Sequence, residues 1–389
     1  MALWTVSARL YYERGIFDIT TFPTLPPLYY IQLASYSFYA LSRVLGIPDT
    51  SFLFHTTYAV EALFLKLPGI LSDLGVFLLI FRFTNDIRYA SLYFLNPFII
   101  FLSGVWGMYD SMMMLPLVLG FVLLERNQRR LAVTSFFISG LVKLFGFVPF
   151  CLLAVENLRQ KHLRELAIQI GIGGLLAAVV FSPLASGGLA DFCTGFVLRF
   201  AGLGGAQSRA YNIFAIVSGA RFGGSTPYIW ILGGLVTALF ILRRRGGAPI
   251  FHSVLQASIV AAIFLSIFSQ SGPQWLSWLI PLSILYAYVE GRESVAFFAY
   301  FFGVAVTFLI LTLTQGSGWL LTGVPLSFFG GLEGYYNSLV VYAFMIVSML
   351  AMLVGYLFLR PVKFRIEILV LTALLYAQAY YWFAVIRVV

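Results

Sequence analysis

Asp110 stands between two long apolar runs, in a segment that runs from Asn96-Pro97 through Gly104, Trp106 and Gly107 to Tyr109-Asp110-Ser111. A carboxylate at membrane depth is expensive and marks a functional site by default. Two roles suit it: a cap on a helix starting at Ser111, accepting backbone N–H groups, or an acid lining a pocket. Lys66 and Asp73 are seven residues apart, which places both on one helical face unless Pro68 displaces the lysine. They read either as an ion pair holding two helices together or as a phosphate-binding cation with Asp73 as its support. Lys143 lies far from both flanks of its apolar run, which disfavours snorkelling and leaves a ligand anion or a remote acid as its partner. In Pro273-Gln274-Trp275-Leu276-Ser277-Trp278, Gln274 and two indoles form an aromatic edge at a helix start. That edge is either an interfacial tryptophan belt or a platform that orients a sugar.

The elements that must position these residues are helices in a bilayer. The chain has 389 residues, 61% hydrophobic and only 10% charged, with a mean hydropathy of +0.94. A water-soluble domain of that length cannot hide so much apolar surface. The expected fold is therefore all-α: one polytopic membrane domain over 1–389, with 11–13 transmembrane or half-spanning helices expected. Apolar runs lie at 26–45, 52–66, 68–82, 89–105, 109–124, 131–155, 166–185, 227–242, 250–269, 275–289, 294–314, 337–358 and 366–386. A full span needs about 20 residues, so the shorter runs are expected to be tilted, broken or re-entrant.

Basic clusters at Arg82/Arg88, Arg126/Arg129/Arg130, Arg159/Lys161/Arg164, Arg243–Arg245, Arg292 and Arg360/Lys363/Arg365 mark cytoplasmic ends. The opposite face then carries loops at 1–25, 186–226 and 315–336, with the turns near 106–110 and 270–275. Run 131–155 has basic flanks at both ends, so we expect a hairpin of two short helices hinged at Lys143–Gly146. Residues 52–82 are expected to break in the same way around Lys66-Leu67-Pro68. Such breaks are tolerated where they line a cavity.

The net charge of +9 is distributed as short clusters between apolar runs, which speaks against a nucleic-acid partner. Cys151 reads as core packing, and a disulfide with Cys193 is not expected. His55, His162 and His252 are scattered, so no metal site and no cofactor are expected. The chain also lacks Asp-x-Asp, Walker, His-Glu-x-x-His and Gly-x-Ser-x-Gly motifs, so nothing suggests a soluble nucleotide donor.

Four segments, taken in order, resemble GT-C superfamily glycosyltransferases, closest to the dolichyl-phosphate-dependent mannosyl- and glucosyltransferases and their archaeal and bacterial relatives. These are Phe17-Asp18 to Pro26-Pro27-Leu28-Tyr29, Lys66 to Asp73, Asn96-Pro97 to Asp110-Ser111, and Pro273-Gln274-Trp275 to Trp278-Leu279-Ile280-Pro281, with Lys143 between the last two. The resemblance implies an integral multi-pass enzyme, of a prokaryotic plasma membrane rather than the endoplasmic reticulum. It would transfer mannose or glucose, with inversion, from a polyprenyl-phosphate sugar donor to a lipid-linked or protein-linked glycan acceptor. The family's general base is an acid on the first extracytoplasmic loop. Here Met1 falls about where that acid belongs, so the expectation is a start further upstream, another acid as base, or a catalytically impaired chain. Among the residues present, Asp110, Asp18 and Glu13 are the candidate bases. Lys66, Lys143 and Arg199 are the expected phosphate contacts, with Asp73 supporting Lys66, and Asn212, Gln274 and Trp275 the expected sugar contacts. Where relatives often carry His before Pro-Gln, this chain has Gly272. The other readings are a transporter of lipid-linked glycans and a catalytically silent subunit.

Overall fold

The computed structural model describes residues 26–48, 51–52, 57–106, 108–184, 226–268, 273–296, 298–300 and 302–303. The loops at 1–25 and 315–336, nearly all of 186–226, and the runs at 337–358 and 366–386 lie outside these residues. Apart from one short antiparallel ladder, β1 (Ser51–Phe52) with β2 (Thr57–Tyr58), the secondary structure of the described residues is helical.

The helices are α1 (Pro26–Val44), α2 (Ala59–Thr84), α3 (Ile87–Phe94), α4 (Pro97–Ile100), α5 (Asp110–Glu125), α6 (Arg129–Val142), α7 (Phe147–Arg159), α8 (Leu163–Phe181), α9 (Thr226–Arg245), α10 (Ile250–Phe268) and α11 (Leu279–Val289). A π-helical turn, Phe101–Trp106, follows α4, and 3-10 turns at Leu144–Gly146 and Pro273–Trp278 precede α7 and α11. Among the described residues, two segments, Val60–Thr84 and Leu163–Leu184, are long and apolar enough to cross a membrane.

From α2 onward, successive segments alternate in direction between two ends. The basic clusters among the described residues gather at one of them. Arg130 of α6 pairs with Glu165 of α8 at 2.8 Å, and Arg159 and Arg244 both pair with fully buried Glu156 at 2.9 Å. Arg243 and His252 flank Glu290 at 3.7 and 3.4 Å. Asp86, whose side chain caps α3 through the Arg88 amide, is held below the usual carboxylate range by the Arg88 guanidinium that hydrogen-bonds it. Among the described residues, those grouped together by charge thus form one rim, on which α2, α5, α7, α9 and α11 end; Arg360, Lys363 and Arg365 lie outside the described residues.

Run 131–155 is the expected hairpin. α6 ends where Lys143 turns extended (φ −147, ψ 137), and α7 returns to the rim. Gly146 makes this return possible: a Cβ there would lie 2.3 Å from the Gly140 nitrogen and 2.4 Å from the Ser139 carbonyl carbon.

Two expectations are corrected. Residues 52–82 do not break at Lys66-Leu67-Pro68, because α2 runs unbroken for 26 residues with Pro68 inside it. Just beyond the proline, the Ser72 hydroxyl donates to the Pro68 carbonyl at 2.7 Å. A proline removes only one helical N–H, and in apolar surroundings the remaining bonds are worth keeping. Cys151 is not a core residue but lies exposed on α7. The run at 26–45 forms α1, which lies across the end opposite the rim. The Tyr30 hydroxyl donates to the Val180 carbonyl near the end of α8, and Phe38 stacks on Phe64 near the start of α2.

α2 turns a stripe of Leu63, Leu67, Leu71, Leu74, Leu78 and Phe81 outward, while Glu61, Ser72, Asp73 and Thr84 are buried beside Val76 and Ile80.

Candidate active site

Of the residues singled out for chemistry, Lys66, Asp73, Asp110, Lys143 and Trp275 lie among the described residues, toward the ends of the helices away from the rim. α5 begins at Asp110 and is 16 residues long, so Asp110 lies about 24 Å along its axis from the rim. Helices near Asp110 reach that level from both directions: α6 ends at Lys143, and α11 begins after Trp278.

Asp110 does not cap its helix. Tyr109 occupies the cap position and makes no side-chain cap bond. The Asp110 carboxylate turns instead into the bundle, 2% exposed, where Oδ1 accepts from Lys143 Nζ at 2.5 Å and from Trp278 Nε1 at 2.7 Å. The partner of Lys143 is thus a remote acid, one of the two alternatives open from the sequence. Its ammonium also lies 4.8 Å from the Tyr109 ring centroid and 5.4 Å from that of Trp278, positions in which ring quadrupoles attract a cation. Asp110 Oδ2 is buried with no hydrogen-bond partner. A carboxylate oxygen in that position gains strongly from any donor brought to it.

The indoles form a stack. Trp278 lies 4.7 Å from Phe145 at 24° and 5.0 Å from Trp275 at 17°, with Trp278 buried and Trp275 half-buried. The stack therefore leads from the Asp110–Lys143 pair toward the surface. Gln274 lies in the same 3-10 turn, and its side chain is outside the described residues.

Lys66 and Asp73 do share a face of α2, the face turned toward 103–111, but they do not pair with each other. Lys66 Nζ donates to the Gly104 carbonyl in the π turn at 2.9 Å. Asp73 accepts from the Tyr93 hydroxyl at 2.6 Å, beside the hydroxyls of Ser103 and Ser111, which lie 3.0 Å apart. The expectation that Asp73 supports Lys66 is corrected accordingly. Nearly two turns of helix separate them, and a carboxylate buried at that depth takes the nearest donors, here hydroxyls. π turns are rare and recur at functional sites. This one is held from both sides, by Lys66 at Gly104 and by the hydroxyl cluster at Ser103. Asn96 is fully buried and structural: Oδ1 accepts the Phe98 amide at 3.0 Å and Nδ2 donates to the Tyr300 carbonyl at 3.3 Å.

Removing the Tyr93 hydroxyl should test the scaffold without touching the charged pair. Tyr93→Phe is expected to destabilise the protein by about 2 kcal/mol, within what it costs to leave a buried acceptor without its donor. Thermal unfolding in detergent reads this, and an unchanged midpoint would mean that the bond contributes nothing.

Asp18, Glu13, Arg199 and Asn212 lie outside the described residues. Sequence reasoning did not foresee Trp278 as a donor to Asp110, Tyr109 as the lysine's ring, or Tyr93 with Ser103 and Ser111 around Asp73. The only signal was the aromatic spacing of Trp275 and Trp278. Among the described residues, no three His, Cys, Asp or Glu side chains come together as a metal site. The chain matches no protein-family model and no curated protein.

Proposed function

We propose that this chain is a multi-pass membrane glycosyltransferase of the GT-C type, moving a hexose from a polyprenyl-phosphate monosaccharide to a lipid-linked or protein-linked glycan. The observation that carries this reading is the constellation of Asp110, Lys143 and Trp278. It combines a buried carboxylate with one oxygen held and the other lacking a donor, a cation beside it, and stacked indoles leading outward. Acid, cation and aromatic faces are what a sugar phosphate needs for proton transfer, charge neutralisation and stacking. The apolar outward stripe of α2 over a polar inner face supports placement in lipid, where such exposure costs nothing. The common basic rim supports a cytoplasmic side at that end, and hence an extracytoplasmic site.

In this mechanism the acceptor hydroxyl attacks the anomeric carbon while its proton passes to Asp110 Oδ2. The bond from that carbon to the phosphate oxygen breaks, and the polyprenyl phosphate leaves with its charge offset by a neighbouring lysine. Lys143 and Trp278 hold Asp110 Oδ1 and so orient the carboxylate, and Trp275 offers its half-buried face to the sugar ring.

The test is transfer of label from polyprenyl-phosphate mannose or glucose to a membrane-lipid extract by purified protein in proteoliposomes. Labelled glycolipid is expected with at least one donor. No transfer from either donor overturns the proposal.

A further inference from the structure

A second site lies at the opposite end of the molecule. Between α6, α7, α8 and the start of α10 is a cavity of about 290 Å³. Its mouth at the rim carries Arg129, Arg130, His162 and Glu165, and its inner wall Val133, Leu153, Ile168 and Ile172. The order of these residues along their helices makes the gradient directional. Ile172 lies nine residues into α8, about 13 Å from its start, whereas Arg129 and His162 stand at helix starts.

The charge at the mouth is not balanced within the cavity. Its one carboxylate, Glu165, already holds Arg130, with contacts of 2.8 and 3.3 Å. Asn157 and Gln169 are bonded to each other at 2.9 Å, and Gln169 also donates to the Phe150 carbonyl at 2.7 Å. Arg129 is exposed and has no carboxylate partner among the described residues. A cationic mouth over an apolar wall fits an anion that carries a hydrocarbon tail, and basic pockets between helices on the cytoplasmic side are a recurrent place for anionic headgroups.

We propose that this cavity binds the phosphate headgroup of an anionic membrane lipid from the rim-side leaflet, with Arg129 as the main phosphate contact and the α6–α8 cleft receiving the start of an acyl chain. The inference rests on the membrane placement proposed above, but not on glycosyl transfer. Glu165 acts as an internal competitor, occupying Arg130 when no lipid is bound.

Two substitutions should therefore act in opposite directions. Arg129→Gln removes the open cation, and Glu165→Gln frees Arg130. The Arg130–Glu165 pair is exposed, with side chains 60% and 41% accessible, and contributes little to stability, so both variants should fold. The experiment begins with alkaline carbonate extraction of membranes, followed by native mass spectrometry of delipidated protein with added dioleoylphosphatidylglycerol or dioleoylphosphatidylcholine. The parent should stay in the pellet and retain phosphatidylglycerol over phosphatidylcholine by about fivefold or more. Arg129→Gln should lower that ratio about fivefold, and Glu165→Gln should raise it. Release by carbonate would overturn the membrane placement and this site together. Retention in the pellet without a lipid preference, or a preference unchanged in both variants, overturns this site alone. Displacement of the lipid by equimolar glycerol 3-phosphate overturns the lipid as the occupant.

Discussion

Asp110→Asn is expected to reduce hexose transfer by about a thousandfold, the scale of losing a positioned general base. Asparagine is nearly isosteric with aspartate and still offers an oxygen to Trp278 Nε1, 2.7 Å away in the parent. It cannot take up the proton of an acceptor hydroxyl. The substitution also leaves the Lys143 ammonium facing a neutral group, and stranding one member of a buried pair costs about 3–5 kcal/mol. Lost activity could then reflect lost folding, and a second variant separates the two. Asp110→Asn combined with Lys143→Met removes both charges. Replacing a buried pair with neutral groups of similar volume is often neutral for stability, so the double variant should unfold within about 1 kcal/mol of the parent. It should still fail to transfer. A folded single variant working at the parental rate would make Asp110 a structural residue only.

Gly146→Ala is expected to destabilise the protein by about 3 kcal/mol or more, at the upper end of what overpacking costs. The added methyl would lie 2.3 Å from the Gly140 nitrogen and 2.4 Å from the Ser139 carbonyl carbon, and backbone atoms cannot swing aside as a flexible side chain can. Separating α6 from α7 at this point moves Lys143, three residues away, off Asp110, so transfer should fall with stability. Gly174→Ala on α8 is the control. Nothing lies within 4 Å of its Cβ position, and Ala for Gly inside a helix should stabilise by about 0.5–1 kcal/mol. Thermal unfolding of both variants in one detergent reads the comparison. Equal midpoints would rule out the tight α6–α7 return.

The hairpin at Lys143 was legible in the sequence because Arg126, Arg129 and Arg130 on one flank and Arg159, Lys161 and Arg164 on the other cannot both be cytoplasmic if the segment crosses once. The unbroken course of α2 was not, because a proline in an apolar run is as compatible with a kinked or intact helix as with a break. Lys66 and Asp73 were rightly placed on one face. Their partners were hidden, since Gly104 is 38 residues from Lys66 and Tyr93 is 20 from Asp73.

Composition and the spacing of basic clusters determined by themselves that the described part of this chain is helical, where most of its described helices begin and end, and which of those ends share a side. These signals are local and depend on hydrophobicity, helical period and flanking charge. Only the tertiary structure decided that Asp110 meets Lys143 and Trp278, the latter 168 residues away. The reason lies in the helices themselves. α5 is apolar almost all round, so its sequence carries no stripe to say which neighbour each face meets. That choice falls to packing, where glycines such as Gly120 and Gly146 let particular pairs of segments approach closely.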